Sequence, residues 1–188
     1  MNKKKLIVII NGKGGCGKDT AVDAICKEYS EVMNVSSIDP IKEKAKAFGW
    51  DGSKDDKDRK FLADLKQLDA DYNDTVTDYL YDQTYFFRIS AMDIMFVHIR
   101  EPENIEKYIK SIGGPVFNES DYNTGIITLL ITRPCTDQHS YGNTSDDNVE
   151  DYEYDFKFEN HYSTEDEFKE KFVNWFKDII DPLYLGIK

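Results

Sequence analysis

Nine residues near the start of the chain, Gly12-Lys13-Gly14-Gly15-Cys16-Gly17-Lys18-Asp19-Thr20, have the types and spacing to hold a chain of phosphates. Glycines let the backbone curl until successive N–H groups point inward, and Lys18 adds a mobile positive charge. The apolar run Leu6 to Ile10 leads into the loop. Thr20 to Tyr29 leads out of it, with Ala21, Ala24, Ile25 and Tyr29 spaced for one helix face. A strand before and a helix after bring the positive end of that helix to the phosphates. Asp19 stands where a Ser or Thr hydroxyl usually meets magnesium. Its carboxylate can serve that ion directly or through water, since magnesium takes hard oxygen ligands. It equally suits the first turn of a helix as an acid favoured by the dipole. Thr20 is the nearest hydroxyl.

The chain has only four arginines, Arg59, Arg88, Arg100 and Arg133, against twenty lysines. Solvated positive charge is handled by lysine, so the few planar forks suit places where a phosphate must be gripped by two bonds. Arg100 and Arg133 end expected strands, and Arg59 opens an expected helix; these three are candidate phosphate ligands, and Arg88 is not. Transfer of a phosphoryl group needs such residues, because its catalysis is mostly positioning and neutralisation of oxygen charge. Glu101 and Asp39 are the acids best placed for magnesium or an acceptor. His98 lies inside an apolar strand and reads as a core histidine. His139 and His161 lie in polar loops without metal-ligand company, and Cys16 reads as a small loop residue.

Alternating strands and helices must position these groups. After the first helix, Val32 to Ile38 reads as a strand, and Pro40 opens a helix from Ile41 to Phe48 that Gly49 closes. Phe61, Leu65, Leu68, Tyr72, Val76 and Tyr79 step by three or four, which predicts one amphipathic helix from about Lys57 to Asp82. Ile94 to Ile99 is a third strand, followed by a helix over Glu103 to Ser111. Gly125 to Thr132 is a buried strand and Asp155 to Glu159 a fifth. Thr164 with Glu167 opens a last helix that runs to about Ile180. The polar stretch Pro134 to Asp151 is an expected lid, and 40–90 an expected acceptor-binding helical region. Five strands in this alternation predict a three-layer α/β fold with a parallel five-stranded sheet over 1–188. Ligands in such sheets sit outside the carboxyl ends of the strands. Asp39, Arg100, Arg133 and the phosphate loop should therefore meet in one crevice.

Composition sets limits on partners. Acids outnumber bases 36 to 24, which excludes a broad nucleic-acid surface. No apolar stretch approaches membrane-spanning length. Lys3-Lys4-Lys5 resembles the start of a signal peptide, but the five apolar residues behind it are too few for its core. Three cysteines without metal spacing read as free thiols, and the expected compartment is the cytoplasm.

The loop, with Asp19 after its lysine, resembles that of small P-loop kinases of the deoxynucleoside monophosphate kinase and phosphomevalonate kinase type. Ser37-Ile38-Asp39-Pro40-Ile41-Lys42, Phe96 to Pro102 with Ile105, and Asp155 to Asn160 look like the same group, close to adenylate-kinase-like bacterial and phage proteins. The resemblance implies ATP phosphates on Lys18 and the loop amides, magnesium as cofactor, and an acceptor phosphate near Arg100 and Arg59. The acceptor stays open, a nucleoside monophosphate being the expectation. Lys13-Gly14-Gly15-Cys16-Gly17-Lys18 also resembles the deviant loop of partitioning and iron-protein ATPases, in which the early lysine reaches a partner subunit. A nucleotide-binding module without turnover is the third reading.

Overall fold

A computed structural model describes residues 4–53, 55–113, 124–134 and 149–185. Five strands form one sheet: β1 (Lys5–Asn11), β2 (Val32–Ser36), β3 (Ile94–His98), β4 (Thr124–Thr132) and β5 (Phe156–Glu159). Their order is β2-β3-β1-β4-β5, and every pair is parallel. The expected parallel five-stranded α/β fold is present. β1 is central and buried throughout, as a strand covered on both faces must be.

Side chains alternate across β1. Leu6, Val8 and Ile10 pack with α1 (Lys18–Glu28) and with Phe168 and Phe172 of α6 (Glu165–Trp175). Ile7 and Ile9 face the other way. They pack with Ile41 of α2 (Asp39–Ala47), Leu80 and Phe87 of α4 (Thr75–Ile89), and Ile105 and Tyr108 of α5 (Pro102–Ser111). These two cores make the three layers. Thr164 caps α6 by accepting from the Glu167 N–H, as its spacing predicts, and the chain continues as a π-helical segment over Phe176–Leu185.

The single long helix expected over 57–82 is two. α3 (Asp56–Tyr72) ends before Asn73, and α4 begins at Thr75. Asp74 between them has φ 51°, the left-handed region that short Asx side chains tolerate. The Asn73 and Asp74 N–H groups both donate to Asp69 O, at 2.9 and 2.7 Å, which closes the helix. Leu68 and Tyr72, taken as part of the apolar stripe, are 65% and 83% exposed, whereas Asp69 is buried. The periodicity survives the break because two amphipathic helices follow one another nearly in phase. α2 starts at Asp39 with Pro40 in its first turn, two residues earlier than expected. Most of the expected lid, 135–148, lies outside the described residues.

Candidate active site

At the carboxyl end of the sheet the glycine-rich loop, expected to bind phosphate, joins β1 to α1. The loop is bent by left-handed glycines: Gly12 at φ 145°, Gly15 at 76° and Gly17 at 108°. Two of them also leave no room for a side chain. A Cβ on Gly12 would stand 2.2 Å from Ile131 O of β4, and one on Gly17 would stand 2.8 Å from Asn160 Nδ2. Cys16 is buried under the loop, and burial pushes its thiol pKa up although the Lys18 charge opposes this. The Lys18 ammonium donates to Gly12 O and to Lys13 O, the latter at 2.9 Å. Lys13 pairs with Glu150 of its own chain at 3.0 Å.

The loop opens into a cleft of about 920 Å³, within the range of small-molecule sites. Gly14, Gly15, Gly17, Lys18, Asp19 and Thr20 form its wall on the α1 side. Arg100 lies just beyond the end of β3 and Arg133 just beyond the end of β4; both line the same cleft. From α3 come Arg59, Leu62, Ala63, Lys66, Gln67 and Ala70. Those six fall three or four positions apart along the helix, so one face of α3 lines the cleft. The walls carry six bases (Lys18, Lys42, Arg59, Lys66, Arg100, Arg133) against four acids (Asp19, Glu101, Glu103, Glu165). In a chain with net charge −12 that is a local reversal of sign, and it suits an anionic ligand.

Two expected residues sit differently. Asp39 is not among the residues lining the cleft. Its carboxylate accepts from the Ser36 N–H at 2.8 Å and holds Lys42, a cleft residue, at 3.5 Å. Glu101 lines the cleft but is gripped by Lys66, whose ammonium meets both carboxylate oxygens at 2.7 and 2.6 Å. Burial alone would raise the Glu101 pKa. The Lys66 charge and hydrogen bonds from Lys66 and Asn104 outweigh burial and hold it below the ordinary value. Gly12, Lys13 and Cys16 shape the loop without lining the cleft.

The structure adds residues that sequence reading passed over. His98 is not a core residue: it ends β3 in the cleft wall, opposite Ile10 in register, and its Nε2 lies 3.0 Å from Asn34 Oδ1. Burial, assisted by the Lys18 and Arg100 charges and opposed by Asp19 and Asp39, brings its pKa down to about 4. The imidazole is neutral at pH 7. Asn160, buried after β5, donates from Nδ2 to Cys16 O at 2.9 Å and so pins the loop from below. Trp50 stands in the wall near α2, its indole N–H donated to Ser53 O at 3.1 Å. The repeat of polar residues on one face of α3 was available as a signal for Lys66; nothing local in the sequence singles out Asn160.

No family model matches this chain, and no curated protein does. Solved structures do. A putative kinase from Chloroflexus aurantiacus matches with TM-score 0.59 at 10% identity, over 96% of this chain and 98% of that one. The tunicamycin resistance protein of Deinococcus radiodurans matches with TM-score 0.52 at 15% identity, over 91% and 95%. At such identities the likeness shows the fold alone, an α/β architecture on a parallel five-stranded sheet, and the site must be argued from its own residues.

Proposed function

We propose that this chain transfers the γ-phosphoryl group of ATP to a small phosphorylated acceptor, best suited by a nucleoside or deoxynucleoside monophosphate. The observation that carries the reading is one cleft with a phosphate loop on one wall and Arg59, Arg100 and Lys66 on others. Phosphoryl transfer asks a protein for little beyond positioning and charge neutralisation, and this cleft supplies both. Lys18 and the loop amides hold the triphosphate. Arg133 neutralises the oxygens in flight, and Arg100 and Arg59 grip the acceptor phosphate. Asp39 acts on the acceptor side by holding Lys42.

The reading implies magnesium. Among the described residues no group of three His, Cys, Asp or Glu could hold a metal ion, which suits an ion held mainly by phosphate oxygens and water. Asp19, exposed in the first turn of α1 on the cleft wall, fits as its protein ligand, with the Thr20 hydroxyl beside it. Glu101 could serve only by releasing Lys66. A bound magnesium ion would neutralise the phosphate oxygens.

The Lys66 grip on Glu101 also favours a second reading, a nucleotide-binding module without turnover. An ADP-release assay over a panel of monophosphates separates the two. Turnover with at least one acceptor is expected; ATP binding without turnover on any would support the module.

A further inference from the structure

We infer that Asn11 couples the two halves of the cleft, tying the phosphate loop to the strand end that carries Arg100, so that a ligand on the loop is felt at α3. The coupling rests on the proposed function only for the identity of the ligands.

Asn11 is the last residue of β1 and is fully buried. Its Oδ1 accepts from the Gly12 N–H at 2.8 Å. Its Nδ2 donates to Arg100 O at 2.8 Å and to the Tyr154 hydroxyl at 2.7 Å. The Tyr154 hydroxyl in turn donates to Val149 O at 2.7 Å. The orientation of the amide follows from its partners: an N–H must meet the oxygen, and a carbonyl must meet the nitrogen. An apolar side chain would fill this position without the cost of burying an amide, so the bonds themselves account for the asparagine.

The ladder between β1 and β3 ends at Ile10 and His98. Beyond it the Asn11 side chain joins the phosphate loop to residue 100. The next residue, Glu101, is held by Lys66 of α3, with both side chains only 16% exposed. A continuous set of short polar contacts therefore runs from Gly12 through Asn11, Arg100 and Glu101 to Lys66. Lys66 shares the cleft face of α3 with Arg59, one of the expected acceptor ligands. A displacement of the loop must be passed along this set or break it. Contiguity alone does not prove coupling, so the test must measure transmission.

The probe is magnesium tripolyphosphate, a phosphate chain with no base or sugar, and the readout is hydrogen exchange by mass spectrometry. In the wild-type protein the probe should slow exchange at least threefold in the loop, in 99–111 and in α3. Asn11→Asp keeps an oxygen for the Gly12 N–H but sets a second oxygen against Arg100 O. Its added negative charge beside the loop weakens binding of the probe, so it is compared at saturating probe, where it should keep the slowing in the loop and lose it in 99–111 and α3. Lys66→Met, which breaks the set at its far end and leaves the Glu101 carboxylate without its ammonium, should lose the slowing in α3 alone, provided its unfolding midpoint shows it folded. Tyr154→Phe, which leaves both bridging bonds in place, should keep it everywhere. Transmission undiminished in Asn11→Asp, or a bound probe felt nowhere beyond the loop in the wild type, overturns the inference. If the wild type binds no tripolyphosphate, the phosphate-loop reading fails instead, and the coupling is judged without ligand. Asn11→Asp should then exchange about tenfold faster than wild type over 99–104 with β5 unchanged, and equal rates overturn it.

Discussion

At the scale of single residues the account turns on which charges are aimed at a ligand and which at the protein. Arg100 follows β3 on the cleft wall, and its carbonyl is fixed by Asn11. Arg100→Lys keeps the charge and loses the two-pronged grip. Steady-state kinetics should show the acceptor's KM raised roughly tenfold with ATP affinity within about twofold of wild type. Equal losses for both ligands would place Arg100 on the nucleotide instead. His98 makes a different prediction. Its pKa falls from 6.5 to about 4 on folding, so between those values the unfolded chain binds more protons than the folded one. The stability contributed by neutral His98 is complete above pH 6.5 and is lost as pH falls towards 4. Urea midpoints should decline over that window, and His98→Asn should flatten the decline there. The flattening should not extend below it, where Glu101 and Asp69, both held below their ordinary values, take up protons. An unchanged slope in the variant would show that His98 is not the group that titrates.

At the scale of elements, the loop and α3 are held in opposite ways. The loop is held by exclusion: Gly12 passes so close to Ile131 O that no side chain fits. Gly12→Ala combines a disfavoured φ with a backbone clash and should cost about 3 kcal/mol by chemical denaturation. A loss near zero would mean that β1 and β4 can part at that point. α3 buries no apolar side chain fully; its one buried residue is Asp69, bonded to Lys44 and Thr75. Asp69→Asn weakens that polar rivet, and exchange should rise across α3 by about tenfold, equivalent to roughly 1.4 kcal/mol, while β1 stays protected. These same elements show what the sequence made legible. Strand order aside, the sheet was readable because buried strands are continuous apolar runs and glycines and prolines punctuate them. The phosphate loop was readable because it is local. The break at Asn73-Asp74 was not, since helical phase carried on across it, and neither was the Lys66–Glu101 pair, whose partners are brought together only by the fold. Asp39, expected at a strand end, instead opens α2 three residues beyond β2, and its carboxylate reaches back to the Ser36 N–H rather than lining the cleft.

At the scale of the whole molecule, an acidic chain carries a cleft whose described lining is net basic, and the contrast predicts selectivity for small anions over polyanions. A long nucleic acid would meet repulsion from the surrounding surface, while a nucleotide meets only the cleft. No helix among the described residues is long and apolar enough to cross a membrane. Lys18, Arg59 and Arg100 line one cleft of about 920 Å³, and the proposed reaction requires donor and acceptor to share it. The most direct measurement of the central claim is to follow the label from γ-labelled ATP in the presence of magnesium and each monophosphate in turn. Label is expected on a diphosphate product for at least one acceptor, and on none with Lys18→Ala, which removes the cation proposed to meet the phosphates. Label found only in inorganic phosphate, or transfer undiminished in Lys18→Ala, would contradict the claim.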